Sequence, residues 1–175
     1  LMSEHECPGL SDNYGEDFDK LYVQYEKNHP HLEKIKARAL MSKIIEAQIE
    51  TGQPYMLYKD AINRKSNQKN IGVIKSSNLC AEIVEYSDKN QTAVCNLASI
   101  ALPKFVDKKN KNYNYKKLYE TAKLATKNLD RVIDINFYPT NKAGTSNNLH
   151  RPIGLGIQGL SDVFFKMSIP HDGKE

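Results

Sequence analysis

The sequence predicts an α/β protein in which at least part of a parallel sheet is covered by helices. Two observations carry this. Apolar residues recur at helical spacing in three segments of a dozen residues or more, and short β-prone runs bounded by turn residues lie between them. The strands are too few to close a barrel, so part of the core is expected from residues outside these 175. The ends, Leu1-Met2-Ser3-Glu4 and His171-Asp172-Gly173-Lys174-Glu175, carry no signal or capping pattern. The chain is therefore expected to be one slice of something longer, 1–175, with no separate second domain.

Taken in order, Cys7-Pro8-Gly9 is a turn, and Cys7 reads as a small buried residue. Phe18, Leu21, Tyr22 and Tyr25 define a first helix from Glu16, whose acidic start suits the positive end of the helix dipole. Asn28-His29-Pro30 ends it, and His29 and His31 read as loop histidines. A second helix is predicted from about His31 to Thr51, with Ala37, Leu40, Met41, Ile44, Ile45 and Gln48 as its core stripe and Gly52 as C-cap. Pro54 to Tyr58 reads as a short buried strand, and the polar run Asn63 to Asn70 as a loop at the surface or lining a polar cleft.

Ile71–Ile74 and Ile83–Tyr86 are β-prone, Ser87–Asn90 is a turn, and Thr92–Cys95 returns towards the core. Asn90-Gln91-Thr92 matches a glycosylation pattern by chance. The longest amphipathic helix is predicted over 115–137, with Lys116, Lys117, Lys123 and Lys127 on its polar face and Pro139 as its stop. Asn141 to His150 is read as polar and turn-rich. Gly154, Gly156 and Gly159 form a literal G-x-G-x-x-G before a helix at Leu160–Lys166. The 175 residues end before an acidic ribose ligand could appear and Pro152 shortens the strand before the glycines, so they are expected to serve close packing of strand and helix.

Composition narrows the function classes. A net charge of +4, from 25 basic and 21 acidic residues, falls short of a nucleic-acid-binding signature, and the lysine-rich run Lys104–Lys127 reads as a solvated face. Three cysteines cannot all pair and lack zinc spacing, which favours a reducing, cytoplasmic setting with no metal held by the chain. No apolar run is long enough to span a membrane.

The chemistry concentrates in Lys75-Ser76-Ser77-Asn78-Leu79-Cys80-Ala81-Glu82-Ile83, followed by Ala93-Val94-Cys95-Asn96-Leu97-Ala98-Ser99. In extended backbone the period of two places Asn78, Cys80 and Glu82 on one side. Spacing alone also fits a strand edge with a buried cysteine and two satisfied polar neighbours. A thiolate nucleophile needs a histidine or helix terminus to lower its pKa, and no histidine is near Cys80 in sequence. A metal would need more soft ligands. Redox or radical chemistry remains, in which a neutral thiol exchanges a hydrogen atom without a base.

These two motifs resemble the active-site core of the large, catalytic subunit of class I ribonucleotide reductases, closest to the eukaryotic and viral branch. Glu6–Leu10, Glu50–Asp60, Asn63–Asn67 and Arg151–Leu160 are similar to family segments in the same order. The resemblance implies a ten-stranded α/β barrel, of which this chain is a central, incomplete part, with Cys80 on a finger loop inside it. It implies that Cys80 becomes a thiyl radical and abstracts the ribose 3′-hydrogen, that Glu82 takes the 3′-hydroxyl proton, and that Asn78 holds the ribose hydroxyls. Leu79 joins Asn78, Cys80 and Glu82 in contacting substrate, and Cys95 is one half of a reducing cysteine pair.

The implied substrate is a ribonucleoside diphosphate, reduced to a deoxyribonucleotide for DNA synthesis. The implied partners are a small radical-generating metal subunit, a second large subunit and a thioredoxin- or glutaredoxin-type reductant, with ATP and deoxynucleotides as effectors bound elsewhere. The partner of Cys95, the effector sites, the substrate-phosphate loop, the relay tyrosines and the C-terminal cysteine pair have no match here, so the segment alone is expected to be inactive. Glycyl-radical or cobalamin-dependent relatives and a non-catalytic remnant used for subunit association are the alternatives.

Overall fold

A computed structural model of the chain describes residues 1–107 and 109–173, which form two compact units, Leu1–Asp88 and Lys89–Glu175. The first is helical. Helix α1 (Gly15–Asn28) carries Glu16 and Asp17 in its first turn and Lys27 in its last, each at the dipole end that favours its charge. Helix α2 (Ala37–Thr51) ends on left-handed Gly52, as its sequence predicts. Its start differs from the expected His31, because Pro30 occupies the second position of a turn closed by Leu32 N–H on His29 O. The expected core stripe is also absent from the unit's interior: Leu40, Met41 and Ile45 are exposed. An amphipathic stripe becomes core only where another element covers it.

Two further expectations fail in this unit. Pro54–Tyr58 is neither a strand nor buried, with Tyr58 77% exposed, since a β-prone run forms a strand only against a partner. The polar run from Asn63 begins inside a helix, α3 (Lys59–Lys65). That helix is pinned at its start, where Lys59 Nζ donates to Ser11 O (2.6 Å) and Asn13 O (2.8 Å) and Asp60 accepts from Gly15 N–H (3.1 Å). Desolvation lowers the Lys59 pKa.

The second unit holds the sheet. Strand β1 (Asn96–Ala101) pairs in parallel with β2 (Ile153–Gln158), in register Asn96↔Ile153 to Ala101↔Gln158. Parallel neighbours need a long crossover. Here it runs through a 3-10 turn (Leu102–Phe105), α4 (Tyr115–Ile135) and α5 (Asn141–His150), and α6 (Leu160–Met167) follows β2. The predicted α/β class and parallel pairing are thus observed. The core is Ile100, Leu102, Phe105, Val106 and Val163, with Leu118, Ala122 and Leu155 packed against it.

Helix α4 falls within its expected range, capped by Asn114, whose side chain accepts from Lys117 N–H at 2.8 Å. Its lysines are exposed as expected, while Lys108 of the same run lies outside the described residues. The stretch read as turn-rich is helix α5: Thr140 caps it by accepting from Ala143 N–H (3.2 Å), and buried Ser146 and Asn147 replace the apolar stripe that would have revealed it. The glycines pack closely, as their sequence predicts. A Cβ at Gly154 would lie 2.5 Å from Leu97 Cδ2, and one at Gly159, where φ is +76°, 2.7 Å from Pro103.

Candidate active site

Cys80 lies in a loop whose two legs are both held by side-chain amides from the polar run. On the incoming leg Asn63, 1% exposed, accepts from Ile74 N–H (2.8 Å) and donates to Ile74 O (3.0 Å) and to Lys59 O (3.0 Å). One asparagine therefore does for Ile74 what a neighbouring strand would do. On the outgoing leg Gln68 Oε1 accepts from Tyr86 N–H at 2.7 Å. The legs meet where Gly72 faces the Tyr86 ring; a Cβ there would stand 2.3 Å from Cε2. Lys75 pairs with Asp12 on the incoming leg. Burial, then Asp88, raises the Tyr86 pKa.

Between the legs the backbone turns instead of continuing extended. Ala81 N–H donates to Asn78 O (3.2 Å), and Ala81 is left-handed at φ +66°, a conformation costing a non-glycine residue about 1–2 kcal/mol. The period-two argument for Asn78, Cys80 and Glu82 therefore does not apply. The turn still joins two of them: Asn78 Nδ2 donates to Glu82 Oε1 at 2.6 Å, and Asn78 Oδ1 accepts from Ile83 N–H at 3.1 Å. The Ile83 donor fixes which end of the amide is oxygen. Ser77 Oγ donates to Ile83 O at 2.6 Å. Leu79, 85% exposed, and the exposed Cys80 occupy the turn, and Cys80 borders a groove also lined by Pro54–Leu57. A thiol is thus displayed two residues from a carboxylate that already holds an amide donor.

Cys95 belongs to the second unit, half-buried before β1, with its Sγ 3.7 Å from where a Cβ on Gly154 would be. The next residue, Asn96, is buried and donates to Asn147 Oδ1 and Pro152 O, both at 3.4 Å. Asn147 in turn donates to Tyr138 Oη, which donates to Ile133 O at 2.7 Å. Arg151, left-handed at φ +48°, clamps the end of α5 onto Asp130 (2.7 Å) and Asp134 (2.8 Å). Its hydrogen bond and charge hold the Asp134 carboxyl below its usual range. Cys7 is buried as expected, and burial pushes its thiol up.

Sequence reasoning missed Asn63, Gln68, Ser77 and Asn147 as supporting residues. Each lies in a polar stretch without apolar period, and the one signal was the two-way hydrogen-bonding capacity of an amide or hydroxyl.

The two units together define an α/β protein that displays a thiol on a loop of polar partners. Residues 1–175 match the family model of the ribonucleotide reductase barrel domain, and the chain belongs to that family. It is 55% identical over 172 residues to the ribonucleoside-diphosphate reductase large subunit of Plasmodium falciparum, covering 98% of this chain and 21% of that protein. It is likewise 55% identical over 172 residues to the large chain of Neurospora crassa (98% and 18%), and 51% over 175 residues to the large subunit of Danio rerio (100% and 22%). The resemblance drawn from the motifs is borne out. The chain spans about a fifth of the length of these relatives, 18–22%. Among the described residues no helix is long and apolar enough to cross a membrane.

Proposed function

We propose that this chain is the active-site segment of a class I ribonucleoside-diphosphate reductase large subunit, with the Cys80 loop as the finger inside a ten-stranded barrel that the rest of the subunit completes. The observation that carries the reading is the Asn78–Glu82 hydrogen bond at 2.6 Å across the turn that bears Cys80. Family membership supplies the chemistry for that arrangement.

In this reading Cys80, as a thiyl radical generated through a small metal-containing partner subunit, takes the 3′-hydrogen atom of the ribose and becomes a thiol. Glu82 accepts the 3′-hydroxyl proton, Asn78 orients the ribose hydroxyls, and Leu79 contacts the sugar. The 2′-hydroxyl, protonated by one thiol of the pair formed by Cys95 and a partner cysteine of the full subunit, leaves as water. The pair then gives two electrons and its second hydrogen to C2′ and ends as a disulfide, Cys80 returns its hydrogen atom to C3′, and Glu82 returns the proton to the 3′-oxygen. A thioredoxin- or glutaredoxin-type protein then reduces the pair. Solvent exclusion protects the radical, which suits a loop enclosed by a barrel. The full subunit works as a homodimer in the cytoplasm under nucleotide effectors bound outside this segment, and the 175 residues alone do not turn over.

In the full-length subunit, Cys80→Ser abolishes nucleoside diphosphate reduction and leaves substrate binding intact, as measured by product formation and by equilibrium binding. Turnover surviving that change defeats the radical role.

A further inference from the structure

We propose that Ser77 is a positioning residue: its hydroxyl closes the neck of the thiol-bearing loop and thereby keeps the Asn78 amide turned towards Glu82. The proposal rests on the reading of Cys80 as the radical-forming thiol. Both main-chain groups of Ile83 are held by consecutive side chains, its C=O by Ser77 Oγ (2.6 Å) and its N–H by Asn78 Oδ1 (3.1 Å). Residues 77 and 83 are thereby closed upon each other, and everything between them, Asn78 to Glu82, is carried on that closure.

Ser77 is half-buried, whereas Asn78, Cys80 and Glu82 are exposed, so the closure is made by the less solvated part of the loop. Its oxygen is also 3.4 Å from Asn78 Oδ1, close enough to turn its single proton there if Ile83 moves. The left-handed Ala81 makes outside support necessary, because that backbone state is not one an alanine holds unaided.

Without the hydroxyl, Ile83 C=O loses its partner, and Ile83 is held to the neck of the loop through its N–H alone. A shift of the Ile83 main chain then loosens the grip of that N–H on Asn78 Oδ1, and a flipped amide would set Oδ1 against the Glu82 carboxylate, oxygen to oxygen. The groups that bind substrate would remain, but the hydrogen-atom transfer geometry would be displaced. Misplacement on the order of 1 Å costs roughly a hundredfold in rate. The expected signature is therefore loss of kcat with little change in KM.

Ser77→Thr and Ser77→Val are nearly identical in shape and differ in the hydroxyl. Both are made in the full-length large subunit and assayed with the radical-generating subunit, using a ribonucleoside diphosphate and its 3′-deuterated form, with melting temperatures recorded. The expected result is that Val lowers kcat roughly 10–100-fold, changes KM less than about threefold and enlarges the isotope effect, while Thr stays within about threefold of wild type. A smaller properly folded fraction would lower kcat without touching the isotope effect.

Val with wild-type kcat, an unchanged isotope effect, or Thr no better than Val each overturns the proposal. Should Val fold poorly, Ser77→Ala against wild type reads the same quantities. Cys80→Ser run in parallel separates the levels: turnover in that variant defeats the underlying reading, whereas its inactivity beside an unaffected Ser77→Val defeats Ser77 alone.

Discussion

The two units are stabilised by different means. Among the described residues, Leu1–Asp88 buries the apolar side chains of Cys7 and Ile74, whereas Lys89–Glu175 buries Ile100, Leu102, Phe105, Val106, Leu129, Ile133, Ala143 and Val163. The second unit is ordered by a core beneath a parallel strand pair. The first is ordered by side chains that satisfy individual main-chain groups, and its apolar helix stripe is left uncovered. The proposed radical thiol lies in the hydrogen-bonded unit, so its geometry depends on a few directional contacts more than on packing. The packed core and the proposed radical thiol thus lie in different stretches of one chain, with Cys95 on the side of the core.

That contrast fixes the ranking of substitutions. Phe105→Ala, in the packed core, should cost about 3–5 kcal/mol in urea unfolding. Asn63→Ala, which strips partners from both main-chain groups of Ile74, should cost about 1–3 kcal/mol. Its amide exchange should rise around residues 72–76 and remain unchanged over Asn96–Gln158. An Asn63→Ala effect as large as that of Phe105→Ala, or one spread evenly over both units, would erase the distinction.

Gly159→Ala meets both the Pro103 ring and a left-handed backbone, and should destabilise the second unit by roughly 1–2 kcal/mol. The smallest effect is acid-dependent. Arg151 depresses the folded pKa of Asp134, so this contribution is complete above the ordinary carboxylate range and disappears as pH falls through the lowered folded value. Between neutral pH and about pH 3, wild type should therefore lose more urea resistance than Arg151→Gln. Equal losses would show that the clamp adds nothing.

Part of the second unit was legible in the sequence, because periodicity reports burial: α4 and α6 follow from apolar spacing, whereas β1 lies just past the β-prone run read at Thr92–Cys95 and β2 takes in the glycines Gly154 and Gly156 themselves. Helix α5 was not legible, since its buried positions are one alanine, Ala143, and the polar Ser146 and Asn147, and it is held by a cap and an arginine clamp. In the first unit, propensity misled at Pro54–Tyr58, where the β-prone run has no strand beside it. At the candidate site, residue types singled out Asn78, Cys80 and Glu82, but the extended backbone that was to align them is a turn. Its left-handed residue is an alanine, and nothing in the local sequence marks it.

Asn63 and Gln68 have a mechanical consequence. They lie five positions apart, so both legs of the thiol loop hang from one short bracket. A shift of that bracket translates the loop as a unit, whereas a change at its neck, where Ser77 meets Ile83, deforms it from within. Location and internal shape are thus separate degrees of freedom, each governed by different hydrogen bonds.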